Sequence, residues 1–182
     1  MMWMPKSPGE PWWRVVAVVP DIEEEEEEAI ASAIYSVDHS RHGGPEFLIL
    51  DITVNVGSFI VHTLCARWEQ EGPLPIGRDI EGHLAYRGPE DTWHPAAVRL
   101  LKCPSTVHAR YTRAAQDIAL AEKRPSPLVL QVVLADEQGR WPWQPGCTRP
   151  QRLLGTPGLS GADLAVYVGA VLVVLFVLWW ML

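Results

Sequence analysis

Lysine is nearly absent from this chain, which has three against twelve arginines, and bases of both kinds are outnumbered, 15 against 22 acids, for a net charge of −7. Six of the acids form one uninterrupted run, 23–28, and outside it 16 acids face 15 bases. Such a balance leaves no broad basic surface to displace counterions from phosphates, which argues against DNA or RNA as a partner. Cysteine is scarce too. Cys65, Cys103 and Cys147 are an odd number, far apart and without a CxxC pair. Neither a disulfide framework nor a zinc ribbon is indicated, and reduced, buried thiols are expected. The chain lacks GxSxG, P-loop, GxGxxG and HExxH motifs, and it implies no cofactor or metal. Its first residues, MMWMPKSPGEPWW, have one lysine and then prolines in place of a continuous apolar core. They do not read as a signal peptide.

There is one long hydrophobic run. Residues 164–182 (LAVYVGAVLVVLFVLWWML), opened by Leu164 and closed by Leu182, carry no charge. As a helix rising about 1.5 Å per residue they reach roughly 28 Å, close to the ~30 Å hydrocarbon core of a bilayer. Twelve of them are Leu, Val or Phe, each favouring insertion by about 0.3–0.6 kcal/mol, or roughly 4–7 kcal/mol together. The other home for a helix apolar on every face is the core of a large protein, and the remaining residues are too few for that. The expectation is a single-pass, tail-anchored transmembrane helix whose partner is the lipid bilayer. The stretch ahead of it, 139–161, holds Arg140, Arg149 and Arg152 and no acid. Positive flanks stay cytoplasmic, so the N-terminal domain is expected to face the cytosol.

Without that segment the chain suits one α+β domain, a single mixed sheet with packing helices, over residues 13–154. A tail (1–12) precedes it and a Gly-rich linker (155–163) follows. The run 12–19 (WWRVVAVV) predicts a first strand, and 31–37 a second. The acidic run between them reads as an exposed loop or the start of a solvated helix. A turn-rich stretch, DHSRHGGP (38–45), is the first place where polar chemistry concentrates, and EFLILD (46–51) follows as a buried strand. Residues 56–71 predict an amphipathic helix with Phe59, Ile60, Leu64 and Trp68 at helical spacing, stopped by Gly72 and Pro73. His62 and Cys65 on it are either a half-set of metal ligands or, with no second pair, a core thiol beside a partly exposed histidine.

Residues 73–77 read as a linker, 78–86 as a strand and 87–91 as a loop. Two helices are expected at 93–101 and 105–122, the second capped by Ser105, with Val107, Tyr111, Ala114, Ala115 and Ile118 on one side and Arg110 and Arg113 in water. PLVLQVVLA (127–135) is the strongest strand, turned by DEQG. RWPWQPGC (140–147) then sets two indoles among prolines, which are expected to hold them in a rigid extended shape. That suits either a lid packed on the core or a recognition surface.

AIYSVDHSRHGGPEFLIL (33–50) and LQVVLADEQGRWPWQPGC (130–147), with the closing residues 151–154, resemble a bacterial and phage family catalogued as the domain of unknown function numbered 4262. The resemblance covers roughly 13–154 and implies an α+β domain. It fixes attention on Tyr35, Glu46, Gln131, Asp136, Trp141 and Trp143, the last four as binding residues. The chain departs from the family at Leu134, where Trp is usual, and at Gly44, where His is usual.

Two functions follow. The first is a membrane-tethered binding or interaction module with a protein partner, in a bacterial, phage or prophage setting. The second is a hydrolase-like enzyme using Tyr35, His42 and Glu46, since a His and a carboxylate in one Gly-rich loop form an acid/base pair when they converge.

Overall fold

Alternating apolar residues buried on both faces build the centre of this protein. The computed structural model describes residues 11–19, 30–87, 93–105 and 110–154. The acidic run 23–28, the loop 88–92, Val107 and the apolar segment 164–182 lie outside them. Six strands form one mixed sheet: β1 (Arg14–Val18), β3 (Ala33–Val37), β4 (Glu46–Ile49), β6 (Asp79–Arg87), β7 (Trp93–Lys102) and β8 (Val129–Leu134), in the order β1-β3-β4-β8-β7-β6. All neighbours are antiparallel except β4 and β8, which run parallel at the centre. Two short strands, β2 (Ile30–Ala31) and β5 (Ile52–Thr53), pair separately.

One face of the sheet packs under helix α1 (Val54–Glu71) and the other under helix α2 (Arg113–Ala121) and the chain after β8. Along β8, Leu130, Val132 and Leu134 turn to α1, while Val129 faces the α2 side and Val133 meets Trp141. Burial on both sides is why this strand reads as an apolar run broken only at Gln131. Among the described residues the result is an α+β domain, a mixed sheet packed by α1 and α2. Among the described residues, no helix is long and apolar enough to cross a membrane.

α1 buries Gly57, Ile60, Val61, Leu64 and Cys65, a stripe with the helical period. Phe59, expected on that stripe, is one step off it and 45% exposed. Trp68 packs its ring edge-on to Phe47. The helix sits tight on the sheet at Gly57, where a Cβ would lie 2.3 Å from Ile34 Cδ1. It ends at Gly72, which has φ 85° and donates its N–H to the Trp68 carbonyl. Of the two readings of His62 and Cys65, the structure matches the core thiol beside an exposed histidine. Burial pushes the Cys65 thiol far above its usual range, and His62 Nδ1 accepts the indole N–H of buried Trp13 at 3.0 Å.

Three readings of the sequence need correction. Residues 93–101, expected to be helical, are strand β7, paired on both sides by β6 and β8. A short apolar run has no decisive period of its own, and two waiting neighbours settle it as a strand. The helix expected over 105–122 is shorter: Ser105 is not its cap, a turn at Arg110 and Tyr111 precedes α2, and Thr112 occupies the cap position without making the side-chain capping bond. The linker 73–77 is stitched to the sheet, with Leu74 buried and Gly77 N–H donating to the Leu100 carbonyl.

Candidate functional site

The turn between β3 and β4 is held by side chains rather than by its ladder. The last Cα partners are Tyr35 and Leu48, and beyond them Ser36 Oγ takes over as acceptor for the Phe47 N–H at 2.9 Å. The same hydroxyl donates to Glu46 Oε2 at 2.6 Å, and Glu46 Oε1 accepts the Ser40 N–H at 2.9 Å. The Glu46 carboxyl, completely buried, therefore closes a 3-10 turn (His39–His42) onto the strand that follows it. His39, also buried, donates Nδ1–H to the Pro45 carbonyl at 2.6 Å, a tautomer fixed because a carbonyl only accepts. Its ring occupies the space beside residue 44, where a Cβ would fall 2.2 Å from His39 Cε1. Glycine at that position makes room for the imidazole.

Asp38 opens the turn with φ 78°, a left-handed conformation that costs a non-glycine residue about 1 kcal/mol or more. Its carboxylate lies between Arg14, 2.9 Å away, and Arg41, 3.4 Å away. The residues expected to cooperate here do not meet. Glu46 is spent on the turn. Tyr35 points to the opposite face under α2, where burial raises the phenol pKa. His42 is exposed, with its ring 5.0 Å from that of exposed Trp12.

The second group, Gln131, Asp136, Trp141 and Trp143, sits along the chain after β8 and holds that chain down. Gln131 Nε2 donates to the Arg152 carbonyl at 2.5 Å and its Oε1 accepts the Leu154 N–H at 2.8 Å. Gln151 reaches back in turn, accepting the Leu134 N–H and donating to the Leu50 carbonyl. Arg152 adds two bonds to Asp51. Residues 151–154 are thereby strapped across the sheet. Gln151, which sequence reasoning placed only in the closing tail, is the residue that joins the strap to β8 and to Leu50, just past the end of β4.

Asp136 organises the loop before the strap. Its Oδ1 accepts N–H groups from Gln138 and Arg140, and its Oδ2 accepts the Arg140 guanidinium and the Thr148 N–H. Burial opposes ionisation most strongly, but those donors together outweigh it and hold the carboxyl well below the usual carboxylate range. A depressed folded-state pKa gives stability that is present above the unfolded value of about 3.9 and is lost as pH falls below it. Thermal midpoints are therefore expected to fall steeply below about pH 4, and Asp136→Asn is expected to start lower at neutral pH and show a flatter acid limb. Identical acid limbs in the two proteins would sink this account.

The tryptophan loop is built of turns, not of the extended chain expected from its prolines. Gln144 N–H donates to the Trp141 carbonyl and Cys147 N–H to the Gln144 carbonyl. Trp141 is 6% exposed and packs on Leu101, Val133 and Ala135, so it serves as a lid on the core. Trp143 is half-buried beside it, the two rings 4° from parallel with centroids 5.4 Å apart. Under both lies a residue the sequence did not single out. Arg99 Cζ is 4.5 Å from the Trp141 centroid and 5.3 Å from that of Trp143. Arg99 stands opposite Asp79 in the ladder, and its Nε and Nη2 both donate to Asp79 Oδ1, at 2.8 and 2.6 Å. No sequence signal marks it: an arginine inside a strand reads as solvent-facing until its neighbours are known.

A family model described as "Domain of unknown function (DUF4262)" matches residues 11–148. No curated protein and no solved structure matches the chain.

Proposed function

The chain belongs to the DUF4262 family, and from that premise we propose that it is a membrane-tethered interaction module, an α+β domain held at the cytosolic face of a bilayer by residues 164–182. The observation that carries this reading over a hydrolase is the separation of Tyr35, His42 and Glu46, which occupy one face, the surface and a closed turn respectively. Acid/base chemistry needs its groups within hydrogen-bond reach of one reacting centre. The strap supports the tether. Gln131, Gln151 and Asp51 bind residues 151–154 to the sheet immediately before the linker. A pull on the tail thus reaches the middle of the domain rather than a loose end.

The test uses the full chain and a chain ended at Gly155. The full chain is expected in the membrane fraction and resistant to alkaline carbonate, with its domain digested by protease in inverted vesicles and protected in spheroplasts. The shortened chain is expected in the supernatant. Equal distribution of the two chains would remove the tether, and digestion in spheroplasts would reverse the orientation.

A further inference from the structure

We propose that Arg99, Trp141 and Trp143 form a binding site for a flat ligand that carries an oxyanion, a carboxylate or phosphate attached to an aromatic ring. This assignment rests on the interaction-module reading and names the chemistry such a module recognises.

The Arg99 side chain is 8% exposed, and its Nη1 is buried without a hydrogen-bond partner. Buried donors left unmade are rare in folded proteins, because the water they lose on burial is not replaced. Asp79 does not discharge the arginine fully. It offers one oxygen to Nε and Nη2, and its own side chain is 54% exposed. The guanidinium therefore keeps one amino group for a further acceptor, and a negatively charged oxygen of a carboxylate or phosphate is the acceptor that gives it a charge-assisted bond.

Beside this donor stand two parallel indoles. Trp141 is fixed in the core, whereas Trp143 is half-buried, and beyond Gln144, which bonds back to the Trp141 backbone, the loop is exposed at Pro145 and Gly146. Trp143 is the member of the pair with room to move. When it swings out, a ligand ring takes its place against Trp141 and the ligand oxyanion reaches Nη1. A ring alone satisfies the indole and an anion alone satisfies the arginine; the two surfaces adjoin, so a ligand with both features gains from both.

The experiment is an NMR titration of the full chain in detergent, following indole and arginine Nε–H signals. Benzoate and phenyl phosphate supply ring and oxyanion with the two acid groups, acetate and inorganic phosphate supply oxyanion alone, and benzyl alcohol supplies the ring alone. At least one of the first pair is expected to give saturable shifts at Trp141, Trp143 and Arg99, roughly tenfold tighter than any single-feature probe, and the stronger of the two identifies the acid group. Arg99→Met is expected to abolish those shifts, and Trp143→Phe to keep them within about threefold. Should Arg99→Met fail to fold, Trp143→Ala, which leaves the arginine in place and vacates the position the ligand ring takes, is expected to tighten binding by at least tenfold, read at the Trp141 and Arg99 signals; unchanged or weaker binding overturns the proposal. The proposal is overturned if neither aryl acid saturates, if shifts persist in folded Arg99→Met, or if every tryptophan responds alike. Membrane residence does not enter the titration, so its failure leaves the tether standing, and failure of the tether leaves this result intact.

Discussion

Trp141→Ala is expected to destabilise the domain by about 3–5 kcal/mol, the range for emptying a buried aromatic site. The indole fills the space over Leu101, Val133 and Ala135 and covers the Arg99 guanidinium. Its removal leaves a cavity and exposes a cation whose Nη1 already lacks a partner. Trp143→Ala vacates a half-buried position and is expected to cost about 1 kcal/mol. Denaturant melts of the full chain in detergent separate the two cases. A wild-type midpoint for Trp141→Ala would mean that the loop does not serve as a lid, and equal losses for both would mean that the pair acts as one structural plug.

Glu46→Ala is expected to cost about 2–3 kcal/mol, because it strips the buried Ser36 hydroxyl and Ser40 N–H of their acceptor. Glu46→Gln is expected to recover all but about 1 kcal/mol of that, since an amide oxygen accepts the Ser40 N–H while the amide nitrogen donates to Ser36 Oγ. The pair of variants divides a structural carboxyl from a catalytic one. A structural carboxyl tolerates the isosteric amide, whereas an acid/base group does not. Melts in which Ala and wild type coincide would show that the turn closes without this side chain.

The strands were legible wherever burial on both faces wrote a largely apolar run, as at Phe47 to Leu50 and at Val129 to Leu134 around the single Gln131. α1 was legible from its stripe and from Gly72. β7 was not, because Val98, Leu100 and Leu101 fit either period and only the partners β6 and β8 decide between them. The candidate site was legible as residue types but not as roles. Glu46, Gln131 and Asp136 stood out as polar groups beside apolar strands, which is how binding residues look in a sequence, yet each bonds backbone of its own chain, and Glu46 and Asp136 also bond the neighbouring side chains Ser36 and Arg140. Arg99 shows the reverse: nothing around it in sequence announces burial, and its neighbours Asp79 and Trp141 are 20 and 42 positions away.

The placement of β8 has a kinetic consequence. It is the last strand in chain order among those described, yet it lies between β4 and β7, the inner edges of the two earlier strand groups. Until the ribosome has delivered it, β1-β3-β4 and β7-β6 are separate ladders, each with an apolar strand whose inner edge is unpaired. Such edges invite association with other chains. Completion then requires a parallel pairing of Glu46 with Val129, across more than eighty intervening residues, the kind of distant contact that slows folding. Synthesis must therefore run almost to the strap before the sheet can close, and the hazard of misassembly is concentrated in that interval.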